Sequence, residues 1–137
     1  ENTMLEHQLI QSTGFRNFGP VGAREGFAIR IRIPNYHGTR LSQLDGFDVT
    51  VDGVFYDHEI NRFGIRDEVY TMAEMREEIT ARWGLTEWGE ILVDKPGGLE
   101  PGVHKIEVVA RIRYSYFPPD VHIFPMHAER FGTICIA

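Results

Sequence analysis

Apolar and polar residues alternate along two stretches of the chain, and this alternation predicts two long β-strands. In residues 27–33 every odd position is apolar, while Arg30 and Arg32 lie between the apolar positions. In residues 104–116 the even positions are mostly apolar, and Val109 is the one residue that breaks the alternation with charged residues. Because successive side chains of a strand point to opposite faces, each stretch has one face suited to a core.

Turn-forming residues predict where these strands and several shorter ones end. Asp52-Gly53 separates the apolar-rich stretches 48–51 and 54–56, and Asp-Gly tolerates the positive φ angles of a two-residue hairpin turn. Further strands are predicted over residues 5–11, 91–94 and 130–136, each bounded by glycine or proline clusters. Connections this short favour antiparallel pairing.

One helix is predicted, over residues 72–82. Thr71 and Glu74 have the spacing of a capping box, and Met72, Met75 and Ile79 share one helical face. The chain shows no repeat and no linker-like segment. We therefore expect a mostly β fold, an antiparallel β-sandwich with one short helix, formed as a single domain over residues 1–137.

Composition and charge limit the classes of function. The 137 residues are 42% hydrophobic with a net charge of −6, which suits a folded domain but not a surface that neutralises phosphates. Nucleic acid and anionic membranes are therefore not expected partners. No stretch approaches the roughly 18 apolar residues of a membrane helix, and the N-terminus lacks a signal-peptide pattern. A cytoplasmic location is expected. Two interpretations of residues 1–3 stay open: they are native, or they precede a native start at Met4.

The single cysteine, Cys135, cannot form an internal disulfide bond. It lies in the apolar stretch 133–136, and we expect it to be a small buried residue.

Six histidines invite a search for a metal site, because imidazole is a common ligand of zinc, iron and copper. They are His7, His37, His58, His104, His122 and His127. None has the spacing of a helical two-histidine motif or of a cysteine–histidine zinc site. We expect exposed or hydrogen-bonded histidines and no metal in this chain, with residues 57–59 and 95–99 forming turns.

Other familiar catalytic patterns are missing from the sequence. There is no nucleophile elbow, dinucleotide-binding motif or phosphate loop. Two carboxylates could in principle hydrolyse a glycoside. We expect instead that Glu77 and Glu78 lie on the solvent-exposed face of the helix, and that Asp57 and Glu59 flank a turn.

An aromatic and proline-rich stretch follows the second long strand. Residues 114–119 read Tyr-Ser-Tyr-Phe-Pro-Pro, and further apolar residues follow to position 125. Large exposed apolar patches usually mark a protein interface or a ligand groove. Two interpretations remain open: this stretch binds a partner, or it folds back over its own sandwich.

Several stretches in order along the chain resemble the small β subunit of bacterial C-glycoside deglycosidases. They are Gly14-Phe15-Arg16-Asn17, Ile31-Arg32-Ile33-Pro34-Asn35-Tyr36-His37-Gly38, Leu41-Ser42, Val51-Asp52-Gly53, Lys95-Pro96-Gly97-Gly98-Leu99 with Pro101-Gly102-Val103-His104, and Arg113-Tyr114-Ser115-Tyr116-Phe117-Pro118-Pro119.

The resemblance implies an accessory subunit of a carbon–carbon lyase. It implies a larger α subunit, a TIM barrel of the sugar-isomerase type that holds a divalent metal, expected to be manganese. Together the subunits would cleave the C–C bond between sugar and aglycone in the 3-oxo-C-glycoside of a plant polyphenol such as a flavonoid. The base and the metal would belong to the α subunit, so no catalytic residue and no cofactor are assigned to this chain.

Candidate residues for a substrate cleft or an α-subunit interface were chosen for their place in or beside aromatic loops. They are Tyr36, His37, Tyr116, Phe117, Pro118, Pro119, His122, Phe124 and His127.

Two other functions compete with this interpretation. A stand-alone carbohydrate-binding module could present Trp83, Trp88 and Tyr36 to a sugar, and it would bind glycan unaided. A self-sufficient metal-dependent lyase would carry its own metal, which metal analysis of the chain alone would reveal.

Overall fold

The computed structural model describes residues 9–11, 13–32, 39–40, 44–65, 68–77, 82–83, 89–113 and 123–137, and its structure there is mostly β-strand. The strands are β1 (Arg16–Phe18), β2 (Gly26–Ile31), β3 (Thr39–Arg40), β4 (Leu44–Val51), β5 (Val54–Tyr56), β6 (Arg62–Ile65), β7 (Glu68–Tyr70), β8 (Arg82–Trp83), β9 (Gly89–Asp94), β10 (Gly102–Arg113) and β11 (Ile123–Ile134). The helix α1 spans Met72–Glu77. Within the described part of the chain, no helix is long and apolar enough to cross a membrane.

Two antiparallel sheets form the sandwich, as predicted. One has the strand order β1-β2-β9-β6-β7 and the other the order β11-β10-β4-β5, while β3 and β8 pair separately. All of the pairings are antiparallel. The turn at Asp52-Gly53 joins β4 to β5 with φ angles of 51° and 86°, which is why this dipeptide suits the hairpin.

The core lies between the two sheets and is built from the alternating positions. Phe27, Ile29 and Ile31 of β2 are fully buried, and the even positions of β10 from 106 to 110 are buried as well. Phe47 of β4 stacks on Phe63 of β6 at 5.1 Å between ring centroids. Burying a large apolar side chain contributes about 1.5–3 kcal/mol, so this face supplies most of the stabilisation.

The helix begins as the capping box predicts. The Thr71 backbone N–H donates to Glu74 Oε1 at 2.9 Å, and the Glu74 N–H donates to Thr71 Oγ1 at 3.2 Å. Met72 and Met75 are buried in the core, so the helix covers one part of the sandwich with the predicted apolar face. Ile79 lies outside the described residues.

Several element boundaries differ from those predicted. Within residues 9–11 only an isolated bridge between Ile10 and Ile31 forms, so no strand runs there. β11 begins at Ile123 rather than Arg130, and β10 at Gly102 rather than His104.

The prediction of a buried cysteine is wrong, because Cys135 is exposed. Ile134 is the last residue of β11 and points into the core, so the next side chain points away from the core.

Candidate functional site

The long hairpin of β10 and β11 fixes where the aromatic and proline-rich stretch leaves the sandwich. The two strands pair without interruption from Gly102 opposite Ile134 to Arg113 opposite Ile123. Residues 114–122 therefore connect the two strands at the far end of this ladder. β4 begins at the same level, since Leu44 pairs with Ile112.

Contacts between the sheets show which end of β2 lies at this level. Phe27 of β2 packs against Tyr56, whose partner in β4 is Val49. Phe63, which stacks on Phe47, lies in register with Ile29 through β9. Passing from residue 27 to 29 in β2 thus corresponds to passing from 49 to 47 in β4. The end of β2 at Ile31 consequently lies toward the start of β4.

We call this the distal end of the sandwich: β2 and β10 finish there, and β4, β9 and β11 begin there. The opposite end, with the Asp52-Gly53 turn and residues 95–101, is the turn end. Residues 33–38 and 114–122 follow strands that finish at the distal end. The topology therefore brings to one end the strand termini that precede the candidates Tyr36 and His37 and the aromatic and proline-rich stretch.

Most of the predicted site residues lie outside the part of the chain that the structure describes. These are Tyr36, His37, Tyr116, Phe117, Pro118, Pro119 and His122. Phe124 lies in β11 opposite Ile112, at the distal end. Trp83 lies in β8 opposite Thr39, whereas Trp88 is outside the described residues.

His127 is the second predicted site residue that the structure describes. It is exposed on β11 opposite Val109, and the next residue, Ala128, is buried on the core side. His127 therefore lies on the outer face of the four-stranded sheet. It is four residues from Ile123, or about 14 Å along an extended strand.

A carboxylate–histidine cluster also forms on β4 and the turn that follows β5. Asp48 Oδ1 lies 2.8 Å from both the backbone N and the ring Nδ1 of His58. Asp57 Oδ1 is 3.1 Å from the same Nδ1, and Glu59 Oε2 is 3.5 Å from Nε2. The backbone N–H of Glu59 donates to Asp57 Oδ1 at 2.8 Å, which closes the turn.

Neighbouring residues explain why the chain folds tightly at this cluster. Asn61 is buried, and its Nδ2 donates to the carbonyls of Phe47 at 2.8 Å and Tyr56 at 3.1 Å. Gly46 has a φ of 107°, and a Cβ there would lie 2.7 Å from Met72 Sδ and 3.0 Å from His58 Cβ. Glycine thus allows the helix and His58 to approach β4 closely.

The cluster could hold a cation, because ligand atoms of Asp48, Asp57 and His58 lie within 4.8 Å of one another. Carboxylate and imidazole ligands suit manganese and zinc. The atoms are, however, already engaged: Asp48 Oδ1 accepts from the His58 backbone, and a metal ion would have to replace the ring proton at Nδ1. The arrangement is complete as a hydrogen-bonded cluster.

The sequence carried a signal for this cluster that the search by spacing did not use. The pairs Val51–Val54, Thr50–Phe55 and Val49–Tyr56 follow directly from the Asp-Gly turn. Extending the register by one step places Asp48 opposite Asp57.

A second histidine, His104, joins three segments at the turn end. Its Nδ1 lies 2.6 Å from Asp52 Oδ2, and its Nε2 lies 2.7 Å from the Glu100 carbonyl oxygen. Asp52 Oδ1 also accepts from the Lys105 backbone N–H at 2.9 Å. The ring meets Phe15 edge-to-face, with 6.1 Å between centroids.

The stretch Lys95 to Leu99 forms the predicted turn, and Asn17 holds it against β1. Asn17 Nδ2 donates to the Leu99 carbonyl and Asn17 Oδ1 accepts from the Leu99 N–H, both at 2.8 Å. Gly98 has a φ of 69°, and a Cβ there would lie 2.7 Å from Asn17 Oδ1. This stretch therefore has a structural role that requires glycine.

Comparison with known proteins shows to which family the chain belongs. A sequence model of the C-glycoside deglycosidase beta subunit family matches residues 5–116. The chain is 35% identical over 116 residues to a C-glycoside deglycosidase beta subunit of Eubacterium cellulosolvens, covering 84% of this chain and 79% of that protein.

Two further relatives are similar. A 3'-dehydrocarminate deglycosidase beta subunit of Microbacterium sp is 30% identical over 99 residues, 72% of this chain and 74% of that protein. A C-glycoside deglycosidase beta subunit of Arthrobacter globiformis is 27% identical over 93 residues, 67% of this chain and 70% of that protein. On the strength of these matches, the chain belongs to the C-glycoside deglycosidase beta subunit family.

Proposed function

We propose that this chain is the accessory subunit of a hetero-oligomeric enzyme that cleaves the C–C bond between sugar and aglycone of a 3-oxo-C-glycoside. The observation that carries the proposal is the family match over residues 5–116, which includes the stretch 33–38 and the start of the stretch 114–122. Two relatives are named as beta subunits of C-glycoside deglycosidases and another as a beta subunit of a 3'-dehydrocarminate deglycosidase.

The proposed reaction is an elimination. The 3-oxo group acidifies the neighbouring sugar C–H, a base removes that proton, and the electron pair forms a double bond as the aglycone carbon leaves and takes up a proton. We assign the base to a TIM-barrel α subunit of the sugar-isomerase type. A divalent metal there, expected to be manganese, would supply Lewis acidity.

This chain, in our proposal, contributes through its distal end. Tyr116, Phe117, Pro118 and Pro119 follow β10 in the sequence, and Phe124 is the second residue of the return strand β11. Aromatic side chains can hold a flat aglycone, and an apolar wall keeps water away from the reacting carbon. The distal end would therefore close the substrate cleft or contact the α subunit.

The two histidine–carboxylate groups seen in the described residues support this assignment of roles. His58 is held by Asp48 and Asp57, and His104 is held by Asp52 at the turn end. Both rings are tied to neighbouring segments of their own chain. Neither arrangement therefore favours a base that swings into a substrate cleft.

Co-purification tests the proposal. A tagged form of the full chain is expressed with its genomic neighbours, and the eluate is analysed for a larger protein, bound metal and aglycone release from a 3-oxo-C-glycoside. We expect release from the mixture and none from this chain alone. If the chain elutes alone and binds sugar, the carbohydrate-binding interpretation replaces the proposal; if it binds metal and cleaves unaided, the self-sufficient lyase does.

Alanine variants test the role of the distal end. Phe117→Ala and Phe124→Ala should lower aglycone release by the co-purified complex. Phe131→Ala is a matched control, because Phe131 lies on the same strand as Phe124 but nearer the turn end, with 66% of the residue exposed. Unchanged turnover in both distal variants, or an equal loss in the control, would contradict the assigned role.

A further inference from the structure

His104 has an arrangement of partners that depends on its protonation state. It faces the core side of β10, since the even positions 106, 108 and 110 of this strand are buried. Its Nδ1 lies 2.6 Å from a carboxylate oxygen of Asp52, and its Nε2 lies 2.7 Å from the Glu100 carbonyl oxygen. Both partner oxygens act as hydrogen-bond acceptors.

Only one protonation state of the ring satisfies both contacts. A neutral imidazole has one N–H donor and one acceptor nitrogen, whereas the imidazolium has two donors. In the neutral ring one nitrogen lone pair would face an oxygen lone pair at hydrogen-bond distance. The geometry therefore fits an imidazolium that donates to Asp52 and to Glu100 at the same time.

We propose that His104 is a protonation-dependent clasp, which ties the β4–β5 turn and the 95–101 connection to the first residues of β10. The clasp has three points of attachment. His104 holds Asp52 Oδ2 and the Glu100 carbonyl, and Asp52 Oδ1 accepts from the backbone N–H of Lys105 at 2.9 Å. Loss of the ring proton removes one of the two hydrogen bonds of the ring and weakens the clasp, while the Asp52 N–H still donates to the Lys105 carbonyl at 3.0 Å.

The charged groups near the His104 ring belong to the β4–β5 turn, the 95–101 connection and the start of β10. Asp52 and Glu100 carry negative charge, and the Lys105 ammonium is drawn to Glu129 at 2.7 Å on the outer face. From the other elements, Phe15 meets the ring edge-to-face, and the uncharged Gly132 is the partner of His104 in β11. The charges of Asp52 and Glu100 beside the ring therefore favour the imidazolium.

The shifts in pKa agree with this geometry. Burial lowers the pKa of His104, but the hydrogen bonds to Asp52 and Glu100 and their charges outweigh it, so the pKa lies above the ordinary value of 6.5. The hydrogen bond from His104 lowers the pKa of Asp52 below its ordinary value of 3.8. The clasp is complete between about pH 4 and pH 6.5, and it opens as pH rises through the raised pKa of His104.

Nuclear magnetic resonance of the full chain reads the protonation state directly. Nitrogen chemical shifts of the His104 ring, followed from pH 5 to 10, should show both nitrogens protonated at pH 6.5, where an unperturbed histidine is about half protonated. An apparent pKa at or below 6.5, or a neutral ring at that pH, would overturn the proposal.

Hydrogen exchange measures how the protonation state of His104 affects the stability of the clasp. After correction for the intrinsic pH dependence, the Lys105 amide should lose protection as pH rises, by about tenfold for each unit that separates the folded and unfolded pKa values of His104. His104→Gln should abolish this dependence, and the exposed His127→Gln on the neighbouring strand should keep it. Identical pH profiles for wild type and His104→Gln would contradict the clasp.

The test remains decisive if His104→Gln fails to fold, because the ring titration uses the unaltered chain. The clasp lies at the turn end, away from the residues assigned to the substrate cleft. A result that contradicts the clasp would therefore leave the proposed deglycosidase function unaffected. A result that contradicts that function would likewise leave the clasp unaffected.

Discussion

The two hydrogen bonds between Asn17 and Leu99 allow a test of the structural role of residues 95–99. Asn17 is 5% exposed and Leu99 is 8% exposed, so the amide and the backbone groups that it binds are almost out of water. The two hydrogen bonds join residues 82 positions apart in the chain. Replacing Asn17 with alanine removes both.

The expected loss of stability follows from the two backbone groups of Leu99 that no longer have a partner. In Asn17→Ala the N–H and the carbonyl of Leu99 lose their side-chain partner, and each buried group without a partner costs about 1–3 kcal/mol. We expect the free energy of unfolding to fall by roughly 2–5 kcal/mol. Domains of this size have about 5–15 kcal/mol in total, so the variant should be marginally stable.

Urea unfolding followed by tryptophan fluorescence measures this loss. Thr133→Ala, at an exposed position of β11, is the control and should change stability by less than about 0.5 kcal/mol. A loss below about 1 kcal/mol for Asn17→Ala, with an unchanged denaturant slope, would refute the reasoning. At a temperature where the variant stays folded, aglycone release by the proposed complex should match wild type, because this stretch is structural.

Three further predictions follow from other parts of the structure. Phe47→Ala should lower the free energy of unfolding by about 3–5 kcal/mol, because Phe47 is 1% exposed and stacks on Phe63; a loss near zero in urea unfolding would contradict this. Cys135 is exposed and should react with a thiol reagent in the native chain, whereas reaction only after denaturation would restore the prediction of a buried cysteine. Asp52 has a lowered pKa because of its hydrogen bond to His104, so its stabilisation is present above about pH 4 and is lost as pH falls through the lowered value. The stability difference between wild type and Asp52→Asn should therefore shrink on acidification, and a constant difference in acid unfolding curves would argue against the pair.

The sequence predicted correctly those parts of the fold that depend on residues close together in the chain. The Asp52-Gly53 turn and the Thr71–Glu74 capping box form as predicted, because each depends on residues within a few positions of one another. The alternation in β2 and β10 predicted their buried faces for the same reason.

Contacts between distant residues account for much of what the sequence did not predict. β1 reads as polar, and its buried Asn17 makes sense only with Leu99 beside it. β6 has Gly64 at its centre, which argues against a strand until Leu92 is placed near that glycine. The prediction that Cys135 is buried was wrong, because the apolar residues beside it in the sequence do not reveal which way its side chain points.

The candidate site was predictable only as a set of segments. The stretch 114–119 stood out by its aromatic and proline-rich composition, whereas residues 33–38 belong to a stretch that carries the family resemblance. The strands before both finish at one end of the sandwich. His127, another candidate beside the aromatic stretch, lies on the outer face of the sheet, and its role remains a prediction.

The β10–β11 ladder has a consequence for exchanging parts between relatives. Its last pair, Arg113 and Ile123, sets two anchor points about 5 Å apart, and their spacing depends on backbone hydrogen bonds rather than on the residues between them. A segment of different length or composition can therefore be spliced between these anchors without changing the register of the sheet. Chimaeras that trade only residues 114–122 would show whether aglycone preference travels with that segment.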